Sequence, residues 1–473
     1  MRLYSILLGS IFALLLLCEL IVFKGRLLAQ PQLREDALER IAVDTVTDPQ
    51  VTGYPDSRKL VRNSRGDLFI AYRKKLADGT FHPFVARLPY GSSQFDNTQL
   101  SIESTPIAYT QRVPSIAIDD EDRLHVVWYG ADESSAGVNE RQIHYTHAKA
   151  TSKGALAWAP VTSPAGRIPG YLTITPPPTL WQEHPVIFAA PQGHIYIVWE
   201  GKDREHTNQA QIKLLRSTDG GESWLPWQNI PGEPGIYYSR PTIVSTADGG
   251  TLYVLAYATG QDGVAQIVWT RSLDEDDDPG DRWEPWRYVS DRDDDGLSDS
   301  TQDQRHLSVV LDNREQLHLV WRQKPDGTPD TAKTQIHYAT YRPTQGWSAP
   351  SLLLANPQRN QSFPTLTIDK DQRLWAAWHE TEFLPKFPNE QPVAGEIRAA
   401  KRPAGSQWRA IATPVISSGQ RALYPSLRWQ RYGSKYGVDL TWTENSVDDP
   451  ANTKCLDGKL ETCTVYYANL AGQ

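Results

Sequence analysis

The sequence predicts an all-β chain folded as a single β-propeller of seven four-stranded blades, with six blades as the alternative, and three observations carry that prediction. The first is composition. A chain of 473 residues with 16 Trp, 21 Tyr, 34 Pro and 32 Gly against one Met, and few stretches of sustained helical period, favours many short strands joined by turns. The second is an internal repeat, and the third is the way the last repeat and the N-terminal region complement each other.

The repeat is read in "RVPSIAIDDEDRLHVVWYG" from Arg112, "EHPVIFAAPQGHIYIVWEG" from Glu183, "SRPTIVSTADGGTLYVLAYA" from Ser239, "RHLSVVLDNREQLHLVWRQ" from Arg305 and "SFPTLTIDKDQRLWAAWHE" from Ser362. Each is a short apolar strand, a polar turn with Asp or Gly, and a second strand ending in an aromatic. Divergent copies begin at Ser57 and Leu423. A third alternating strand follows each pair, as in "QIHYTHA" from Gln142, and a fourth is marked by Trp158, Trp224, Trp283, Trp347 or Trp408. The seventh unit ends soon after its third strand, "TCTVYYANL" from Thr462, whereas "ERIAVDTVTD" from Glu39 is an orphan strand ahead of the first unit. Pairing the two would complete the last blade and remove an exposed edge. The expected organisation is a signal peptide or membrane anchor at 1–29, a linker at 30–38 and the propeller at 39–473.

The N-terminal expectation rests on the apolar run from Ile6 to Phe23, broken only by Cys18 and Glu19, after a basic start at Arg2. It implies a secreted or extracytoplasmic protein, cleaved or tethered to the membrane. In that setting Cys455 and Cys463, which bracket "CLDGKLETC", are expected to form a disulfide. The net charge of -8 is spread along the chain, which gives no nucleic-acid footprint, and a monomer is expected.

Ser217, Asp219, Gly221 and Trp224 fit S-x-D-x-G-x-x-W, and here the chain resembles the Asp-box (BNR) repeat of sialidase-like propellers. A degenerate second copy keeps Ser272, Asp274 and Trp283. The resemblance implies a box with a structural role in the turn between third and fourth strands. Sialidases use three Arg to hold a substrate carboxylate, a Glu-activated Tyr nucleophile and an Asp acid/base. Their R-I-P signature occurs once, at Arg167 to Pro169, between units rather than opening the first blade.

In a propeller the starting ends of the innermost strands converge on one mouth of the central channel. The repeat places Arg58, Arg112, Arg240 and Arg305 there as candidate substrate-binding residues, because guanidinium offers a planar fork matched to carboxylate or sulfate. Glu183, His184, His306, Phe363 and Tyr424 share that position. Glu183, His184, His306, Tyr238 and Tyr424 are the candidate catalytic residues, either as a His/Tyr acid–base set beside Arg or as a Tyr nucleophile beside Glu183. Glu200, Glu380 and Glu444 follow the second-strand aromatic as acid/base or ion-pair partners, while the recurrence of His125 with His318 and of His144 with His337 points to packing. Finally, Asp291, Asp293, Asp295, Gly296 and Asp299 in "DRDDDGLSD" resemble a calcium loop with carboxylates at alternate positions, so a structural Ca2+ is expected.

The functional expectation is an exported sialidase-like propeller that recognises acidic glycans and is a candidate glycoside hydrolase. Two alternatives stay open: a non-catalytic glycan- or protein-binding propeller of the cell envelope, and an acidic polysaccharide lyase.

Overall fold

Seven antiparallel sheets follow one another along the chain, six of them built from consecutive strands in the order inner to outer and the seventh completed by the first described strand of the chain. The computed structural model describes residues 38–46, 51–77, 79–99, 111–112, 114–131, 141–150, 156–158, 172–175, 180–273, 280–291, 293, 295–329, 331–382, 395–413, 420–429, 437–446 and 463–470. The N-terminal run, the R-I-P triplet, Asp274 and Cys455 lie outside them, whereas Cys463 is buried and disulfide-bonded. Residues 39–473 form one compact unit. Among the described residues no helix is long and apolar enough to cross a membrane.

The inner strands of blades one to seven are Leu60–Arg62, Ser115–Ile118, Gln182–Ala189, Tyr237–Ser245, Arg305–Leu311, Asn360–Ile368 and Gln420–Trp429. Each contacts the inner strand of the next blade, and that of blade seven contacts that of blade one, which makes the ring. In blades two and five the outermost position is split, since both Leu156–Trp158 and Leu172–Thr173 pair with Gln142–Ala150, and both Gly346–Trp347 and Ser351–Leu352 pair with Gln335–Arg342. In blade seven that position is held by Arg40–Val46, antiparallel to Cys463–Asn469.

The core lies between blades rather than within one, as expected for sheets stacked face to face. Val254 and Val268 of blade four meet Val186 and Ile212 of blade three, and Val43 and Val46 of the outer strand of blade seven meet Leu68 and Ile70 of blade one. A fully buried Trp recurs at one position of the second strand, as Trp128, Trp199, Trp321, Trp378 and Trp442. An indole N–H buried this deeply needs an acceptor, and each has one: Gln111, Gln182, Gln323, Glu380 and Glu444 at 2.7–3.2 Å. Glu380 and Glu444 therefore hold tryptophans in the blade.

The Ser217–Trp224 turn joins the third and fourth strands of blade three. Ser217 Oγ accepts from Gly221 N at 2.9 Å and donates to Asp219 at 2.7 Å, and Asp219 accepts from Ser223 N at 2.9 Å. Gly220 and Gly221 take the positive φ that this closure demands, and Trp224 packs edge-on to Tyr145 of blade two. The Ser217 and Asp219 side chains bond within the turn and Glu222 reaches Arg123 of blade two at 3.0 Å, so the contacts of the turn are structural.

Candidate active site at the channel mouth

The mouth is built by a bulge repeated near the start of the inner strands. The register slips between Glu183 and Val186, Ser239 and Thr242, Arg305 and Ser308, Ser362 and Thr365, and Leu423 and Ser426. Inside each slip one residue takes a positive φ: His184 (51°), Arg240 (52°), His306 (58°), Phe363 (51°) and Tyr424 (55°). A non-glycine residue in this region costs about 1–3 kcal/mol, and such bulges re-aim a side chain. Pro185, Pro241, Pro364 and Pro425 follow four of the five, where the ladder has no use for an N–H.

Three amides at these bulges are satisfied from the preceding blade, by the second-strand residue that follows the buried Trp or, in blade four, Ala256 in its place. Arg240 N donates to Glu200 at 3.0 Å, Leu307 N to Tyr257 Oη at 3.1 Å and Tyr424 N to His379 Nδ1 at 3.1 Å. This column, comprising Tyr129, Glu200, Tyr257, Arg322 and His379, is the part of the site that the sequence reading missed except for Glu200. Its signal was the position one residue past the aromatic. Glu380 and Glu444 stand two residues past it, and strand alternation turns them away.

On the arc of blades two to four, His184 joins Tyr129 to Glu200. Tyr129 Oη lies 3.2 Å from His184 Nε2, and His184 Nδ1 is hydrogen-bonded to Glu200. Burial, reinforced by Arg240, keeps the His184 imidazole neutral, its pKa held well below the ordinary value. Burial also pushes the Glu200 carboxyl up to about 7, against the pull of Arg240. Burial opposes the Arg240 charge too, but Tyr54, Asp56 and Glu200 outweigh it and its pKa is raised. The Arg240 guanidinium lies 3.9 Å over the Tyr54 ring, and among the described residues neither it nor the Arg112 guanidinium has a carboxylate or hydrogen-bond partner. Arg112 and Arg141 lie close enough to influence His184.

The remaining candidates are placed differently. Glu183 is ion-paired with Arg141 and accepts Trp181 Nε1 at 3.0 Å, so it holds the mouth together. Glu183, His184 and Glu200 bring ligand atoms within 4.8 Å of one another, but Arg141 and Arg240 already balance that charge. Arg305 and Arg322 share Asp303 at 3.0 and 3.3 Å. Arg58 points into the channel below the mouth, because blade one carries its positive-φ residue earlier, at Tyr54 before Pro55. The four arginines thus do not form one ring. Tyr238 sits in the core between blades three and four, against Trp286, with its hydroxyl accepting Glu233 N at 3.1 Å. Its neighbour Tyr237 is the one near Glu200 and Arg240. His306 stacks on Phe363 at 3.6 Å, and Phe363 meets Tyr424 edge-on at 4.7 Å.

Away from the mouth, Asp291, Asp293 and Asp295 gather one carboxylate oxygen each within 4.8 Å, while Asp291 also caps Gly296 N at 2.9 Å. The exposed Asp299 closes the loop through its N–H to Ser290 O at 3.2 Å. Three hard oxygen donors on a short loop suit calcium.

No family model matches the chain, and no curated protein sequence does. Among solved structures, the polysaccharide lyase Uly1 matches with a TM-score of 0.56 at 11% identity, covering 92% of this chain and 100% of its own. The α-L-arabinofuranosidase Arb93A of Fusarium graminearum matches with a TM-score of 0.47 at 10% identity, covering 78% of this chain and 98% of its own. The intramolecular trans-sialidase of Ruminococcus gnavus gives 0.42 at 10% identity, over 91% and 97%. The first of these shares its fold with this chain, whose own sheets make a seven-bladed propeller.

Proposed function

We propose that the chain is a lyase of acidic polysaccharides acting at the channel mouth. The observation that carries this reading is the Tyr129–His184–Glu200 hydrogen-bonded chain beside two guanidinium groups, Arg112 and Arg240, that make no ion pair or side-chain hydrogen bond among the described residues, Asp56 and Glu200 acting on Arg240 only at longer range. Eliminating a glycan at a uronate requires its carboxylate to be neutralised so that the adjacent C5 proton becomes acidic, and a base within reach of that proton. Arg112 and Arg240 take the carboxylate. The C5 proton passes to the Tyr129–His184 pair, its electrons form the C4–C5 double bond, the C4–O bond breaks, and the departing oxygen takes a proton back from the same pair. Glu200 fixes the imidazole through Nδ1, leaving Nε2 as the working nitrogen.

A Tyr-nucleophile hydrolase is supported less well, because Tyr238 is in the core and Tyr424 is buried against Phe363 and His379. Similarity in fold to the polysaccharide lyase is consistent with a glycan ligand. Export is part of the proposal on the strength of the apolar run from Ile6 to Phe23, as is a structural calcium at the Asp291 loop.

The test is incubation with uronate-bearing polysaccharides, reading the ultraviolet absorbance of the unsaturated product. Turnover that is lost in Arg240→Ala supports the lyase. Binding without turnover reduces the reading to recognition, and reducing-end release without an unsaturated product favours hydrolysis. Neither binding nor turnover across acidic glycans overturns it.

A further inference from the structure

Below the mouth, the central channel contains a second cationic centre that the proposed reaction does not use. Arg58 reaches from blade one across the channel to donate to Ile243 O of blade four at 3.2 Å, with its guanidinium 4.5 Å over the Phe188 ring of blade three. Arg428, on the inner strand of blade seven, points into the same space, and its Nε is buried with no hydrogen-bond partner. Both are partly buried, the Arg428 Nε completely, and Arg428 is the charged neighbour that Arg58 feels.

Among the described residues no carboxylate is within ion-pair distance of either guanidinium. Asp439, opposite Arg428 in the sheet register, is engaged by Arg62 at 2.7 Å and by Tyr467 and Asn469 at 2.9 Å. Asp56 lines the channel too, but its partners are Arg240, His184 and Lys59 on the mouth side. Lys59 is itself spent on Ser57 Oγ and on Pro114 O at 2.6 Å.

Two like charges withdrawn from water with no counter-charge are strongly unfavourable, and arginine does not escape by losing its proton. Between them lies a cavity of about 30 Å3 whose other walls include the hydroxyl-bearing residues Thr242, Ser308, Thr365 and Ser426. That is more than the roughly 10–15 Å3 that one small occupant such as a water requires. The cavity has room for a monatomic ion.

We propose that the channel between Arg58 and Arg428 binds a halide ion, chloride in physiological media, which supplies the missing counter-charge and ties blades one and seven across the ring closure. It is a structural ligand, independent of the glycan chemistry at the mouth.

The test is thermal unfolding of the full chain at fixed ionic strength, with chloride or bromide replacing gluconate or sulfate. Halide is expected to raise the Tm by about 2–4 °C in a saturable way. Arg428→Gln is expected to abolish that increment while keeping any general salt effect. Crystals grown in bromide, which need no variant, are expected to show anomalous density between the two guanidinium groups. An equal Tm rise with sulfate, or a channel without bromide density, overturns the proposal.

Discussion

The two arcs of the mouth share a backbone and differ in everything attached to it. On the arc of blades two to four, bulge residues His184 and Arg240 face Tyr129 and Glu200, giving a buried proton chain next to an unpaired cation. On the arc of blades five to seven, the same positive-φ positions carry His306, Phe363 and Tyr424, stacked on one another and on His379. Duplication therefore supplied aim, and the side chains decided whether a blade contributes chemistry or a wall. An aromatic wall is what a sugar ring stacks on, so the second arc would position what the first arc transforms.

If that division is right, His184→Ala lowers turnover roughly a hundred- to ten-thousand-fold, whereas His306→Ala mainly raises KM; steady-state kinetics on a uronate polymer separate the two. An equal loss of kcat in both variants would erase the distinction between arcs.

The next effect in size is on stability and runs the other way. Phe363→Ala removes a buried ring from the stack and is expected to cost about 3–5 kcal/mol in urea unfolding. Tyr129→Phe, which keeps the ring, should cost far less in unfolding while still depressing turnover.

Buried groups of the two arcs include a pair that responds to pH with opposite signs. His379 is held neutral by burial, its pKa lowered to about 3, so its contribution is present above the ordinary histidine value and lost as pH falls toward 3. Glu200, raised to about 7, contributes stability that is present below its ordinary value near 4.5 and lost as pH rises through 7. Activity should rise over that same upper window as Glu200 ionises and holds the imidazolium. Glu200→Gln is expected to flatten both limbs, which pH-dependent unfolding and rate profiles would register.

The smallest effect belongs to a region outside both arcs. Chelating calcium should lower the Tm by a degree or two, an effect absent in Asp293→Asn, with no change in KM. A calcium-dependent KM would instead connect that loop to the mouth.

The fold was legible because a repeat displays its own register: the Trp at one position of the second strand in five of the blades announces where they pack. The site was half legible. His184 and Arg240 were reached because the bulge residue and its proline stand out in the alignment. Tyr129 and His379 were not, because a one-residue offset past the aromatic reverses which way a strand residue faces, so Glu380 and Glu444 drew attention instead. Arg58 aligned with the mouth column, yet the longer "YPDSRK" entry to blade one moves the bulge to Tyr54 and drops Arg58 into the channel. Such an insertion changes depth, which a linear pattern does not carry.

The pairing of Arg40–Val46 with Cys463–Asn469 has a consequence for biogenesis. A ribosome synthesises the outermost strand of the last blade ahead of blades one to six, and its partner emerges only after them. Throughout elongation that strand is a bare β-edge carrying Val43 and Val46, open to illegitimate pairing. Its natural safeguard is a holding factor at the exit tunnel or a delay in compaction until release, so the yield of native protein should depend on chaperone supply more than on the stability of the finished ring.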